Sequence, residues 1–469
     1  MINEPSDSTR LRNSLSDSSA SEFGDIPGPL SSALINNQRA RESNAVSYPR
    51  RLPIAVETAS GSYITDPDGR KYIDCLTGAG VLSLGHCHPY LVAAAKRQLD
   101  IFTHGLDFPS PTRERFRDAQ LAMLPEDIRE SMVVHFCGPT GSDGVEAAIK
   151  LSKLYTGGTD IISFQGAYHG GTNGSLSVTG LRAVKSRLTG LMPGVHFFPY
   201  SNCSDCPVGL SRDTCSVNCA EVLVHALRDP NSGLGRPAAV ILELVQGEGG
   251  VNVADPVFVS RIREITRELD IPLIVDEVQT GCGRTGSWYA FEQYGIHPDI
   301  IVASKALSGI GSPVALLFLN KKLNVWEAGS HIGTFRGNEI AFAAGIAAIE
   351  VIRRENILEN VRSVGQHLKD ALQELAATYP IVADVRGMGL MLGLEIQDPY
   401  TKRRSKDLAR LLQEQALREG LIVEVGGRDD AVVRLLPALN IDAEIADAIS
   451  RKLSRSVAVV QRSVEATRS

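Results

Sequence analysis

The chain has 469 residues, 43% of them apolar and 22% charged, which is room and composition for a large core with a smaller satellite domain. A net charge of −6 leaves no basic face for nucleic acid, and no run of about 18 apolar residues offers a membrane span. Eight cysteines without a secretory h-region in the opening MINEPSDSTRLRNSLSDSSASEFGD fit reduced thiols in the cytoplasm.

Residues 1–45 are rich in Ser, Asp and Asn without hydrophobic periodicity, and predict a disordered or loosely attached arm. Over 47–74, two β-rich runs flank the turn signal Asp66-Pro67-Asp68-Gly69 and predict a hairpin of a small domain, whose amino-terminal part is taken as 46–100. A Gly/His loop (78–91) then leads into a helix at about 89–101.

Strands and helices alternate from there to about 330. Buried strands are predicted over 132–136, 160–164, 195–200, 238–244, 272–277, 300–304 and 314–320, with helices over 142–157, 219–229, 256–269 and 287–295. This pattern implies an α/β fold: a large domain (101–335) on a mostly parallel seven-stranded sheet, covered on both faces. The link into the last strand is too short for a parallel crossover, so that strand is expected antiparallel. Residues 336–469 read as a small α+β domain: a helical stretch over 338–377 broken near 353–356, a Gly-interrupted strand pair over 382–396, helix 405–419, two strands and a terminal helix. No GxxxxGK[ST] sequence is present, which argues against a Walker-type nucleotidase.

Two strands end in chemistry. Asp276 and Glu277 close IPLIVDEV, and Ser304 and Lys305 close DIIVASKALSG. Ligands in open α/β sheets sit outside the carboxyl ends of the strands, so Asp276 and Lys305 are expected side by side. Pyridoxal phosphate needs such a pair: a lysine for the Schiff base and an acid to keep the pyridine nitrogen protonated. A lysine on a strand end is otherwise most often a solvated surface group, and an Asp there a turn cap; the pair says more than either alone. Gly141 and Ser142, in GPTGSDG between a strand and a helix, form a Gly-rich turn that suits a phosphate. Tyr168, in FQGAYHGG, stands where an aromatic could stack on a planar cofactor, or simply pack a loop. Glu243 and Gln246 (ELVQGEGG), Gln279 (DEVQTG) and Thr334 (GTFRGN) lie in loops beyond the strands or leaving the large domain; Glu243 could cap its strand or neutralise an arginine in the site, and Thr334 has a helix N-cap as its ordinary alternative.

Taken together, VDEVQTGCGRTG, SKALSGIGSP, YHG, ELVQGEGG and HIGTFRGN resemble the class III (ω-type) pyridoxal-phosphate aminotransferases of fold type I, over roughly residues 45–465. The resemblance implies Lys305 as the Schiff-base lysine and proton carrier, Asp276 as the pyridine-nitrogen partner and Gln279 near the phenolic oxygen. It further implies Gly141 and Ser142 as the phosphate cup, Tyr168 as the stacking ring, and Thr334 reaching the phosphate from the partner subunit of a homodimer. Glu243 and Arg434 (VVRLLPAL) match a pair in which the glutamate masks the arginine for the amino donor and releases it to the oxo acid's α-carboxylate. GPTGSDGVEAAIKLSK and ESNAVSYPRRLP look most like diaminobutyrate–2-oxoglutarate aminotransferases. Such enzymes move an amino group between L-glutamate and L-aspartate 4-semialdehyde, toward siderophore, ectoine or polyamine precursors. Ornithine or 4-aminobutyrate aminotransferases, an aminomutase, and a non-catalytic regulator or metal-binding protein on the same fold are the alternatives.

Two departures stand out. Gly171 occupies a position where several ω-aminotransferases carry a carboxylate-binding arginine, which leaves the distal-carboxylate contact unassigned. Cys203, Cys206, Cys215 and Cys219 have a metal-like spacing, for which thiolate zinc is the obvious candidate; free thiols or an adventitious disulfide are the favoured reading, and no catalytic metal is expected.

Overall fold

The structure, a computed structural model, describes residues 25–467. They divide into two compact units: 80–83 with 89–361, and the remainder, comprising 25–79, 84–88 and 362–467.

The smaller unit starts with a helix, Pro29–Arg41, inside the stretch expected to be a loose arm. Its first turn is held by a remote cap, the Asp68 carboxylate, which accepts the N–H groups of Leu30 and Ser31 at 2.9 Å each. This tie is tertiary and leaves no periodic signal; residues 1–24 of the expected arm lie outside the described residues. The predicted hairpin forms as β1 (Thr58–Ser60), β2 (Tyr63–Thr65) and β3 (Lys71–Asp74).

The larger unit holds β4 (Met132–Phe136), β5 (Asp160–Phe164), β6 (Val195–Phe198), β7 (Pro237–Leu242), the short pair β8 (Val245–Gln246) and β9 (Asn252–Val253), then β10 (Leu273–Asp276), β11 (Ile300–Ala303) and β12 (Leu316–Asn320). Seven of these make one sheet in the order β4-β12-β11-β10-β7-β5-β6. β12 is antiparallel to both neighbours, as the short link from Lys305 requires, and the other pairings are parallel. Successive strand residues alternate between two apolar clusters: Leu273, Val275 and Ile301 pack in one, Ile274, Ile300 and Val302 in the other. Both faces are therefore covered, which explains why these strands read as unbroken apolar runs.

The helix expected over 287–295 is instead a short 3-10 turn, Ala290–Tyr294. The buried Glu277 carboxylate accepts the N–H groups of Ala290 and Phe291, and Glu292 accepts that of Tyr289, which caps the start of the turn; it stops at once at Gly295, whose φ of +59° is left-handed. Helix Glu339–Arg354 packs on helices Pro89–Leu99 and Pro111–Leu121. Residues 80–83, 89–100 and 336–361 belong to the larger unit and not, as expected, to the smaller one.

The smaller unit is completed by β13 (Val382–Met388), β14 (Met391–Ile396), β15 (Leu421–Ile422), β16 (Glu424–Gly426) and β17 (Val432–Leu435). β15 joins β3 in parallel, and the other four form an antiparallel sheet in the order β13-β14-β17-β16. No helix among the described residues is long and apolar enough to cross a membrane.

Candidate active site

Five parallel strands of the large sheet deliver their following residues to one cavity of about 360 Å³. Gly141 and Ser142 come after β4, Tyr168 and His169 after β5, Glu243 after β7, Asp276 and Gln279 from β10, and Lys305 after β11. The expectation that Asp276 and Lys305 meet rests on strand register. Asp276 pairs with Val302 across β10 and β11, so Lys305 emerges three residues further along the neighbouring strand.

Each of these side chains is fixed by local structure. Asp276 is 5% exposed; its Oδ1 accepts the Val278 N–H at 3.0 Å and its Oδ2 lies 2.7 Å from His169 Nδ1. An imidazole N–H given to Oδ2 and a backbone N–H to Oδ1 prevent the carboxylate from rotating. His169 is itself buried, and Thr179 Oγ1 accepts its backbone N–H at 3.0 Å. Lys305 has φ +40°, the left-handed region that a residue with a Cβ enters only when its surroundings insist. The preceding Ser304 is buried and donates its hydroxyl to the Val314 carbonyl at 2.9 Å.

Helix Gly141–Thr156 opens on the cavity behind a capping box between Thr140 and Asp143. Its first-turn N–H groups have no intrahelical acceptor and its dipole favours an anion there. Gly141 is needed for space: a Cβ at that position would stand 2.8 Å from both methyl carbons of Val278. Ser142 Oγ accepts the Gly171 N–H at 3.1 Å and so anchors the loop that carries Tyr168. The Tyr168 ring is 36% exposed and lines the cavity, free to cover a planar group.

Gln279 lines the same cavity, and neither its amide oxygen nor its amide nitrogen has a hydrogen-bond partner although both are buried. Orphaned buried polar atoms of this kind call for a ligand. Glu243 is 6% exposed and accepts the N–H groups of Tyr168 at 2.9 Å and Gly247 at 3.0 Å. Burial pushes its carboxyl up to about 7; the nearby Asp276 adds to the rise and His169 opposes it.

The remaining predicted residues lie elsewhere. Thr334 is exposed, in the turn Thr334–Gly337, and is not among the residues lining the cavity of its own chain. Arg434 is in the smaller unit, on β17, 2% exposed and ion-paired with Glu424 at 3.0 Å. A Cβ on Gly171 would meet nothing within 4 Å, so the glycine there is not required for space. Cys203, Cys206, Cys215 and Cys219 are free thiols, and no group of three or more His, Cys, Asp or Glu among the described residues could hold a metal ion. Burial raises the Cys219 thiol to about 11 and the Cys203 thiol upward as well, away from the thiolate form a metal would need.

The role of His169 was missed in the sequence. Its position in the YHG motif flagged the loop, but the contact with Asp276 spans 107 residues and is visible only in the fold. Val278, the wall behind Gly141, carried no signal at all.

The comparisons agree with this geometry. A family model described as aminotransferase class III matches residues 45–457. A diaminobutyrate–2-oxoglutarate aminotransferase of Rhizobium meliloti (strain 1021) is 47% identical over 430 residues, covering 90% of this chain and 91% of that protein. One from Haemophilus influenzae is 42% identical over 435 residues, covering 90% and 94%. Among solved structures, an amine transaminase from an uncultivated Pseudomonas species in its PLP-bound form superposes with a TM-score of 0.81 at 27% identity, covering 89% of this chain and 97% of that one. An ornithine aminotransferase from Toxoplasma gondii ME49 gives 0.79 at 25%, covering 92% and 96%. With its sheet, its strand-end cavity and a family match running through nearly all of its folded length, the chain belongs to the class III aminotransferases.

Proposed function

We propose that the protein holds pyridoxal 5'-phosphate in this cavity and exchanges an amino group between L-glutamate and L-aspartate 4-semialdehyde, giving L-2,4-diaminobutyrate and 2-oxoglutarate, in either direction. The observation that carries the cofactor is the meeting in one cavity of Lys305, the immobilised Asp276 and the orphaned Gln279 amide, beside a helix amino terminus. The substrate pair is supported by relatives of that name at 42–47% identity over nine tenths of the chain.

When bound, the cofactor supplies an electron sink that makes the carbon–hydrogen bond beside the substrate nitrogen acidic. The chain does the rest. Lys305 would carry the covalent attachment and move the proton at the substrate carbon. Asp276, fixed by His169 and the Val278 N–H, would keep the ring nitrogen protonated. The first turn of helix Gly141–Thr156 would receive the phosphate, Gln279 would donate to the ring's phenolic oxygen, and Tyr168 would cover one face. Arg434 grips the α-carboxylate of the oxo acid.

The site is completed by a second copy of the chain, whose Thr334 reaches the phosphate. Ile101, Phe102, Phe108, Ile332 and Phe335 of the larger unit are exposed apolar side chains, and the Gly105 N–H donates to the Gly337 carbonyl at 2.9 Å, tying their two segments together. A patch of this kind fits a subunit interface. The deciding test is the visible spectrum of the purified protein with pyridoxal phosphate. Its absorption band should bleach with L-2,4-diaminobutyrate and return with 2-oxoglutarate. A band that ignores diaminobutyrate but bleaches with ornithine or 4-aminobutyrate would change the substrate, and a protein that never takes up the cofactor would end the proposal.

A further inference from the structure

Arg434 has a carboxylate of its own, and it is supplied by the strand next door. β16 and β17 pair antiparallel with Glu424 directly opposite Arg434, and Glu424 Oε2 lies 3.0 Å from an Arg434 terminal nitrogen. The two side chains are 12% and 2% exposed, so the pair is largely removed from water. Glu424 is braced in turn: the Tyr48 hydroxyl donates to its Oε1 at 3.3 Å. Gly426, two residues along β16, clears the way for the guanidinium. A Cβ there would stand 3.1 Å from two Arg434 nitrogens and 3.2 Å from Cζ. Gly426 has no left-handed φ, so the glycine provides room and not flexibility. On the other side of β17, the residue opposite Arg434 is again a glycine, Gly393.

A buried guanidinium without a counter-ion is strongly unfavourable, which explains a resident glutamate. The same glutamate has a second consequence. Arginine offers five N–H donors and one carboxylate engages at most two, so a resident carboxylate alone does not saturate a guanidinium. The incoming carboxylate then meets a guanidinium whose charge is already partly neutralised, with the Glu424 anion a few ångströms away. Like-charge repulsion at that range offsets part of the attraction.

We propose that Glu424 is the resting counter-ion of Arg434 and sets how tightly that arginine holds a substrate carboxylate. It is a positioning and specificity residue, and the inference rests on the reading of Arg434 as the carboxylate grip. The benefit is turnover: a reaction that binds a 2-oxo acid in one half and must release one in the other is slowed by a grip that is too strong.

The test uses the holoenzyme carrying Glu424→Gln, which keeps the shape and removes the charge. In the half-reaction of the pyridoxamine form with 2-oxoglutarate, half-saturation should fall about 10-fold as the repulsion is lifted, with the limiting rate changed less than about 3-fold. Half-saturation for an amine without a carboxylate, 1,3-diaminopropane, should stay at the wild-type value, and Glu424→Asp should return the oxo-acid value toward wild type. The unliganded variant should melt lower than wild type, and 2-oxoglutarate should raise its melting temperature more than it raises that of the wild type. A folded Glu424→Gln enzyme with unchanged or weaker oxo-acid saturation overturns the inference. Arg434→Gln separates the two levels. If it weakens 2-oxoglutarate strongly while Glu424→Gln does nothing, only the role of Glu424 fails. If it leaves 2-oxoglutarate at the wild-type value, the reading of Arg434 fails and takes this inference with it.

Discussion

Glu243 is the cavity carboxylate whose charge is set to change near neutral pH, because burial lifts its pKa to about 7 from an ordinary 4.5. Between those values the folded protein holds a proton that the unfolded chain has lost. The stability associated with it is complete below about pH 4.5 and disappears as pH rises through about 7. Glu243→Gln should therefore melt progressively higher than wild type as pH goes from 6 to 8, read by thermal unfolding of the holoenzyme. The same charge repels an entering dicarboxylate, so kcat/KM for 2-oxoglutarate should fall through pH 7 in the wild type and stay flat in the variant. Coincident profiles would show that Glu243 does not titrate there. How far such residues could be read from sequence follows from what fixes them. Asp276 and Lys305 were legible because each terminates an apolar run, a local pattern with one meaning in a parallel sheet. The clamp of His169 on Asp276, the empty amide of Gln279 and the left-handed Lys305 were not, since they depend on side chains brought together by crossovers.

At the level of elements, the site is a row of strand ends, and the turn proposed to receive the phosphate is placed by a contact between two of them. Helix Gly141–Thr156 can start where it does because Gly141 has no side chain against Val278, the second residue after β10. Gly141→Ala should push the helix start away from the cavity and weaken pyridoxal phosphate binding about 10-fold or more, a little over ~1.4 kcal/mol. Val278→Ala in the same chain should restore much of the affinity, since it removes the two methyl carbons that the new Cβ strikes. Cofactor titration followed by absorbance reads both. If the double variant binds as poorly as Gly141→Ala, the turn is disrupted by something other than this clash. The alternation of strands and helices predicted the sheet, and the short link after Lys305 predicted its antiparallel β12. The 287–295 segment makes only a short turn because it is stopped at Gly295 in the left-handed region, a backbone event that its amphipathic pattern does not show.

At the scale of the molecule, the boundaries of the units follow packing and not the rhythm of the sequence, which is why helix Glu339–Arg354 joined the larger unit unannounced. The same scale holds the strongest test of assembly. Lys305 lines the cavity of its own chain, whereas Thr334 is exposed on it, beside the apolar Phe335 and Ile332. If two copies meet through this patch, each cavity takes Lys305 from one chain and Thr334 from the other. Lys305→Ala alone should be inactive, losing at least about 10³-fold with its proton-transfer role. Thr334→Asp alone should be nearly inactive as well, because it sets a negative charge against the phosphate. Co-refolded or co-expressed in equal amounts, the two should regain about a quarter of wild-type activity. Random pairing makes half the dimers mixed, and a mixed dimer carries one cavity with both native residues. Phe335→Glu, by charging the patch, should abolish this recovery and shift the protein to monomer in sedimentation. Mixtures that stay as inactive as their components, although both variants pair normally, would place Thr334 with the cavity of its own chain and remove the reason for a shared site.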